Sequence, residues 1–330
     1  MSVKVFITGI GSDLGTQIAR LLEERTDVEE IAGIDMFPPR RYLARSKFFM
    51  SHYDDSERIS DVIEQFSPDV IINFGVYEPG ARLGFSKARG ATHACVAGII
   101  HAVEKIKKHH EVHVITRSSV CVYGFEDASR VSDETSPLAP DTPYGEMCRD
   151  VEEELLSHIA HVTVVRTAPE IGAHVPNPLA RLLSLPAIPI QIRSPFSKEL
   201  GFPVISPRDT VEIFVRAATL KNENTNWHRV LHAACSSNAT MLMAVRLGNK
   251  VPVFTTGIGY SFAKKISYIA GAPVDPHVEM LIRRGMAIDS TSTRMYLEIT
   301  SQDSPTEILK DLYAGEEEQI TSSKISKVKK

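Results

Sequence analysis

The stretch FITGIGSDLG, residues 6–15, joins an apolar β-branched run to a helical pattern. The run VKVFIT over 3–8 is typical of a buried strand, and the segment 14–22 carries apolar residues at helical spacing on one face. A glycine-rich turn that leads from a strand into a helix exposes free backbone N–H groups and the positive end of the helix dipole. The stretch therefore predicts a binding site for the phosphates of a dinucleotide.

Three glycines in this turn have separate roles. We expect Gly9 to permit the tight turn and Gly11 to let the backbone approach a pyrophosphate closely. We expect Gly15 to let the helix pack tightly against the strand. An ordinary strand-to-helix turn would also use glycines, but the position of this turn and the acidic residue that follows it favour the dinucleotide site.

That acidic residue is Asp35, which ends the apolar run IAGID after the turn. A carboxylate at this point can accept hydrogen bonds from both hydroxyls of an adenosine ribose. The carboxylate would repel a 2'-phosphate, so NAD is the expected cofactor. Arg40 and Arg41 follow closely and could reach such a phosphate, which keeps NADP as an alternative.

Short β-branched runs alternate with helical patterns through the first half of the chain, at 3–8, 31–35, 69–74, 112–119 and 162–167. Such alternation predicts an α/β fold with a Rossmann-like doubly wound parallel sheet, covered by helices on both faces. After Gly172 the pattern breaks into pieces punctuated by proline. These pieces predict a smaller mixed C-terminal substrate lobe.

The domain organisation follows from this change of pattern. We expect an NAD-binding Rossmann domain over 1–172 and a substrate lobe over 173–315, whose helices could return to the sheet. The tail over 316–330 is polar and charged, with too little apolar surface to offset the entropy of ordering it. We expect this tail to be disordered.

The composition excludes several kinds of partner. With 37 basic and 41 acidic residues, the net charge of -4 favours neither nucleic acid nor an anionic membrane. The four cysteines have no C-x-x-C spacing, which argues against a zinc site and suits a reducing cytosol. No apolar run approaches about 18 residues, and the first residues lack the pattern of a signal peptide. We expect a cytoplasmic protein that binds a small molecule, without a metal.

Three further segments carry a family resemblance: INFGV over 72–76, RSSVCVYG over 117–124 and TPYGEMC over 142–148. Together with the glycine turn, they resemble the extended short-chain dehydrogenase/reductase family, the NAD-dependent epimerases and dehydratases that act mostly on nucleotide sugars. The resemblance runs from about residue 3 to about residue 313. It implies reversible hydride transfer at a hydroxyl or carbonyl carbon, performed by an oxidoreductase that binds NAD.

The resemblance also implies roles for individual residues. Ser119 would contact the reacting carbinol or carbonyl, and Tyr144 would remove or return the hydroxyl proton. Either Asp54 or its neighbour Asp55 matches the aspartate that contacts adenine. The residues implied to contact the cofactor are Thr8, Gly9, Gly11, Ser12, Asp13, Leu14, Gly15, Asp35, Asp54, Phe74, Gly75, Val76 and Cys148.

The sequence departs from the family pattern at four positions. A serine, Ser12, occupies the place of the middle glycine, and Cys95 and Pro169 occupy places where the family usually has asparagine. The fourth departure is Cys148, which stands where the family has the lysine that lowers the pKa of the catalytic tyrosine. A cation about 4 Å from the tyrosinate at an effective dielectric constant near 20 is worth about 4 kcal/mol, or about three pKa units. Cys148 supplies no such charge and is more typical of a small apolar packing residue.

These departures leave three functional interpretations open. The first is an NAD-dependent epimerase or dehydratase that works without the motif lysine. The second is an NAD(P)-binding sensor or partner-binding protein with impaired catalysis, and the third is a reductase of a non-sugar carbonyl. Three arginines could bind an anionic substrate group, namely Arg181, Arg193 and Arg208. The resemblance further implies a homodimer formed through the helices around 96–106 and 151–159.

Overall fold

The computed structural model of the protein describes residues 2–80, 83–125, 130–173, 175, 177–191, 200–220, 227–255 and 274–315. Seven strands of this part of the chain form one sheet, in the spatial order β3-β2-β1-β4-β5-β7-β9. They are β1 (Val3–Thr8), β2 (Val28–Asp35), β3 (Lys47–Met50), β4 (Val70–Asn73), β5 (His113–Ser119), β7 (His161–Thr167) and β9 (Trp227–Ala233).

All neighbours in this sheet are parallel. The strand order reverses at β1, whose last residue Thr8 pairs with Ile34 of β2 on one side and with Asn73 of β4 on the other. In open parallel sheets, a reversal of this kind opens a crevice at the carboxyl ends of the strands, where ligands bind. The predicted doubly wound α/β fold is confirmed, and the crevice lies directly above the glycine turn.

Helices cover both faces of the sheet, as its near-continuous apolar strands require. The helices α1 (Asp13–Glu23) and α6 (Pro207–Thr219) pack together on one face. The other face carries α2 (Ser56–Phe66), α3 (Phe85–Ile106) and α4 (Pro143–His158). The core between these layers is mainly apolar, and the largest of its side chains, such as Phe6 and Phe214, are fully buried.

The second half of the chain returns to this sheet. The sequence pattern assigns the strand near 230–233 to the smaller lobe, whereas β9 pairs with β7 along its whole length. The exposed edge of β7 would otherwise present unpaired backbone N–H and C=O groups, and β9 satisfies them. The helix α6 likewise packs in the layers of the sheet. The sequence boundary at residue 172 therefore does not coincide with a boundary between the sheet layers and the smaller units.

The remaining elements form smaller units beside the carboxyl edge of the sheet. In the described part of the chain they include two short parallel pairs, β8 with β10 and β6 with β11. The strands are β6 (Val131–Ser132), β8 (Ala187–Gln191), β10 (Val251–Thr255) and β11 (Ala287–Ile288), and the helices are α5 (Pro178–Leu183), α7 (Met241–Leu247), α8 (Pro276–Arg284) and α9 (Thr291–Tyr296). Residues 305–315 are also helical. The tail over 316–330 lies outside the described residues.

Among the described helices, none combines the length and the apolar character that crossing a membrane requires. The described residues also contain no group of three or more metal-binding side chains close enough to hold an ion.

Candidate functional site

The turn after β1 is held closed by Ser12, one of the four residues that depart from the family pattern. Its hydroxyl oxygen is the N-cap of α1 and accepts a hydrogen bond from the Gly15 backbone N–H at 3.0 Å. The same hydroxyl donates to the Gly9 carbonyl at 2.7 Å. Serine is among the most favourable N-cap residues, so this substitution stabilises the start of the helix.

Two of the predicted glycine roles have a visible steric basis. Gly9 adopts a φ of +77°, a left-handed conformation that other residues rarely take. A Cβ atom added to Gly15 would lie 2.3 Å from the Gly9 carbonyl oxygen, so only glycine lets the helix approach the strand this closely. These two glycines therefore make the turn tight and bring the start of α1 close to the end of β1.

Asp35, at the end of β2, is tied to this turn. Its Oδ2 accepts a hydrogen bond from the Gly11 N–H at 2.9 Å, and its Oδ1 accepts from the Met36 N–H at 2.7 Å. Burial raises the pKa of the Asp35 carboxyl, and the N–H groups of Phe37, Met36 and Gly11 offset part of that rise. Because an ionised carboxylate offers about four lone-pair sites, Asp35 still has room to accept from a ligand hydroxyl.

A cavity of 300 Å³ opens at the carboxyl ends of the strands. This volume is at the lower end of the range of about 300–1,000 Å³ for small-molecule pockets. Eight predicted site residues line it, namely Gly9, Ser12, Asp13, Leu14, Asp35, Phe74, Val76 and Arg181. Arg40, which follows Asp35 in the sequence, also lines the cavity, so the cation considered for a 2'-phosphate faces the same space.

Thr8 and Gly75 lie beneath the turn and are not among the residues that line the cavity. The Thr8 hydroxyl donates to Asn73 Oδ1 at 2.7 Å, and the Gly75 N–H donates to the same oxygen at 2.9 Å. A Cβ atom on Gly75 would lie 2.2 Å from the sulfur of Cys95. Burial raises the pKa of the Cys95 thiol to about 12, so this cysteine acts as an uncharged packing group behind β4.

The two candidate adenine-binding aspartates have different surroundings. Asp55 is the N-cap of α2 and accepts a hydrogen bond from the Arg58 N–H at 2.9 Å. Asp54 is exposed and pairs with the ring of His52. Neither lines the cavity, and their contact with adenine stays a prediction.

Ser119, Tyr144 and Cys148 are all buried near the carboxyl end of β5. The Ser119 hydroxyl oxygen accepts from the Cys121 N–H at 3.2 Å, and Cys148 is completely enclosed. Tyr144 is 4% exposed, and its ring packs against the ring of His277 from α8, with 4.6 Å between ring centres. None of the three lines the cavity, so their assignment to catalysis stays a prediction.

The electrostatic surroundings of Tyr144 oppose its ionisation. Burial raises the pKa of its hydroxyl well above the ordinary value, and the neighbouring Cys148 adds to the rise. The positive charge of Arg117 acts in the opposite direction but does not cancel it. Burial also raises the pKa of the Cys148 thiol, which therefore remains protonated beside the tyrosine.

Arg117 and Glu170 are cavity residues that the sequence interpretation did not identify. Arg117 Nη2 lies 2.8 Å from Glu170 Oε2, and both side chains line the cavity. A signal for Arg117 exists in the sequence, since strand alternation places it on the same face as Ser119, two residues later. No comparable signal marks Glu170, which follows Pro169, one of the departures from the family pattern.

The three arginines expected at the substrate site do not converge. Arg181 lies on α5 and lines the cavity. Arg208 lies elsewhere, with a side chain that is 64% exposed and an Nη2 atom 2.8 Å from Asp303 Oδ1. Arg193 lies outside the described residues.

Comparison with known proteins relates the chain to one enzyme family. A model described as "NAD dependent epimerase/dehydratase family" matches residues 5–183. A search of curated proteins found no match.

Solved structures share the fold over nearly the whole chain. The enzyme WbmH from Bordetella bronchiseptica, solved in complex with NAD+, has a TM-score of 0.71 at 16% identity, over 96% of this chain and 98% of that one. A UDP-glucuronic acid 4-epimerase from Bacillus cereus, in complex with UDP-glucuronic acid and NAD, has a TM-score of 0.69 at 17% identity, over 96% and 99%. A dTDP-glucose 4,6-dehydratase from Bacillus anthracis, in complex with NAD, has a TM-score of 0.68 at 15% identity, over 96% and 97%. At such identities the likeness establishes the fold.

Proposed function

Because the chain belongs to the NAD-dependent epimerase/dehydratase family, we propose that it binds NAD at the carboxyl edge of its sheet and works as an oxidoreductase of that type. The observation that carries this proposal is the lining of the cavity, which extends from Asp35 past Gly9 and Phe74 to Arg117. These residues belong to four adjacent strands or to the turns after them. One end of the cavity therefore lies near Asp35, the proposed ribose-binding residue, and the other lies near β5, the predicted catalytic strand.

The residues present fit the cofactor. Gly9 and Ser12 of the turn line the cavity, where their backbone would lie near a pyrophosphate. The N-terminus of α1 supplies the positive dipole end. Asp35 would accept from the ribose hydroxyls, and its charge disfavours NADP, although Arg40 in the same cavity keeps NADP as the alternative.

Bound NAD would supply reversible hydride transfer to and from a carbinol carbon. Ser119 would donate a hydrogen bond to the reacting oxygen, and Tyr144 would hold or return its proton. Several of the solved structures with this fold contain NAD together with a UDP-sugar, which supports a nucleotide sugar as the substrate. Arg181 lines the same cavity and would meet the diphosphate of such a substrate.

A second candidate function is that of a binding protein that senses nicotinamide dinucleotides with impaired catalysis. The observation that favours it is the burial of Tyr144 under His277, together with a hydroxyl pKa well above its ordinary value. A tyrosine that stays protonated is a poor proton acceptor at neutral pH. A protein of this kind would bind the cofactor without catalysing the reaction.

Calorimetric titration with NAD, NADP and ADP-ribose tests dinucleotide binding, which both candidate functions require. We expect NAD to bind, and to bind more tightly than NADP. Failure of all three ligands to bind would overturn both candidates. A panel of UDP- and dTDP-sugars, incubated with the protein and NAD and separated by chromatography, then distinguishes the enzyme from the sensor. Conversion of any member supports the enzyme, and binding of NAD without any conversion supports the sensor.

The family resemblance also supports a homodimer through α3 and α4. These two helices lie side by side on one face of the sheet, where His93 Nδ1 and Glu154 Oε2 are 3.7 Å apart. Light scattering on the purified protein would test the dimer, and a mass of one chain would contradict it. The four cysteines are free and buried, which suits the reducing cytoplasm that we propose as its location.

A further inference from the structure

The ion pair of Arg117 and Glu170 lies at the part of the cavity formed by β5 and the segment after β7. Glu170 is 2% exposed and the Arg117 side chain is 14% exposed, so both charges are shielded from bulk solvent. The pair is held by one contact of 2.8 Å between Arg117 Nη2 and Glu170 Oε2. Burial raises the pKa of the Glu170 carboxyl, and the Arg117 charge opposes that rise.

Each partner has one buried polar atom that makes no hydrogen bond. These atoms are Arg117 Nε, a donor, and Glu170 Oε1, an acceptor. Buried polar groups in folded proteins are nearly always partnered, because leaving one unpaired costs free energy. A donor and an acceptor left unpaired on one ion pair, whose two side chains line the same cavity, indicate a ligand group that itself presents an acceptor and a donor side by side.

The order of the strands places this pair relative to the proposed cofactor. Asp35 ends β2, Gly9 follows β1, Phe74 follows β4, Arg117 lies on β5 and Glu170 follows β7. These strands are consecutive neighbours across the sheet. A dinucleotide with its adenosine at Asp35 and its phosphates at Gly9 therefore has its nicotinamide at the Arg117 end of the cavity.

We infer that Arg117 and Glu170 form the recognition site for the carboxamide of the nicotinamide ring. Glu170 Oε1 accepts from the amide N–H, and Arg117 Nε donates to the amide carbonyl oxygen. This inference rests on the proposed function, since it assumes that a nicotinamide dinucleotide occupies the cavity. A primary amide presents a carbonyl acceptor next to N–H donors, which matches the two unpaired atoms.

The first test uses the native protein and three ligands: NAD, ADP-ribose, which lacks the ring, and nicotinic acid adenine dinucleotide, which has a carboxylate in place of the carboxamide. Calorimetric titration should show NAD binding at least about tenfold more tightly than the carboxylate analogue, because that carboxylate would face Glu170. Equal dissociation constants for NAD and the analogue would overturn the inference.

The second test changes the recognising residue. In the Glu170→Gln variant the side-chain amide can donate to the analogue's carboxylate, so the preference for NAD over the analogue should fall by about tenfold while the dissociation constant of ADP-ribose stays the same. Glu212→Gln, on the partly exposed side of α6, is the matched control and should leave all three constants unchanged. An unaltered preference in a folded Glu170→Gln protein would contradict the assignment.

A second variant tests the inference if the Glu170→Gln protein does not fold. Arg117→Lys keeps the positive charge but removes the Nε donor, and we expect it to weaken NAD binding while sparing ADP-ribose. The three ligands also distinguish a failure of the proposed function from a failure of this inference alone. If ADP-ribose and NAD both fail to bind, the proposed function fails; if both bind and the carboxamide makes no difference, only this inference fails.

Discussion

The backbone N–H of Gly11 donates a 2.9 Å hydrogen bond to Oδ2 of Asp35, which joins the turn after β1 to the end of β2. The same glycine packs so closely against residue 37 that an added Cβ would lie 2.1 Å from the Phe37 carbonyl oxygen. The position of the carboxylate relative to the proposed phosphate-binding turn therefore depends on the absence of a side chain at residue 11.

We expect Gly11→Ala to lower both stability and NAD affinity. Forcing a methyl group into a space this tight typically costs about 1–3 kcal/mol of unfolding free energy, and here it also separates Asp35 from the turn. Urea denaturation and calorimetric titration with NAD would measure the two effects.

The matched control for that substitution is Gly90→Ala, within α3. A Cβ at Gly90 meets no atom within 4 Å, and alanine favours a helix over glycine by about 1 kcal/mol. This variant should be as stable as the native protein or slightly more stable, with unchanged NAD affinity. Equal behaviour of the two alanine variants would contradict the steric role of Gly11.

A second prediction concerns Asp35 and pH. Because its pKa is raised in the folded protein above the unfolded value of about 3.9, the folded state binds this proton more tightly. The contribution of Asp35 to stability is therefore complete below about pH 3.9 and is lost as the pH rises through the folded pKa. The Asp35→Asn variant does not titrate at this position and should lack this loss.

The measurement is the unfolding free energy of the native protein minus that of Asp35→Asn, obtained by urea denaturation between about pH 4 and pH 7 in the absence of ligand. The difference should decline as the pH rises, with a slope of at most about 1.36 kcal/mol per pH unit. A difference that is constant or that increases with pH would show that burial does not raise this pKa.

A third prediction concerns the buried ion pair beneath the predicted catalytic strand. Glu152 on α4 is 1% exposed and accepts hydrogen bonds from Arg166 Nη2 at 2.6 Å and Nε at 3.0 Å. Glu152→Ala would leave the Arg166 charge buried without its carboxylate, which typically costs about 3–5 kcal/mol. Chemical denaturation would measure the loss.

The exposed pair of Glu212 and Arg216 is the control for that prediction. Its two side chains are 34% and 39% exposed and lie 2.8 Å apart at i,i+4 spacing on α6. Pairs of this kind contribute about 0.3–0.5 kcal/mol, so Glu212→Ala should cost far less than Glu152→Ala. Similar losses for the two variants would indicate that the Glu152 pair does not depend on burial.

Local spacing in the sequence was enough to predict most of the sheet. The runs at 3–8, 112–119 and 162–167 correspond closely to observed strands, because each buried parallel strand leaves an apolar run of its own length. The edge strand β3 was not predicted. It has only four residues, all of them exposed or partly exposed, and so it carries little apolar pattern.

The site was predicted less completely. Asp35 and the glycine turn were accessible from sequence because a strand, a turn and a helix N-terminus are consecutive in the chain. The partnership of Arg117 and Glu170 spans 53 residues, and it depends on β5 and β7 being neighbours in the sheet. Sequence spacing does not encode such a pairing directly.

The sequence by itself determined the doubly wound fold and the turn that suits a dinucleotide, since both depend on residue types within a few positions of each other. Only the tertiary structure decided that Tyr144 lies under His277, that β9 completes the sheet, and that a buried donor and acceptor lie at the far end of the cavity. Those outcomes depend on which distant segments pack together, and it is packing that excludes water and sets the charge state of a buried group.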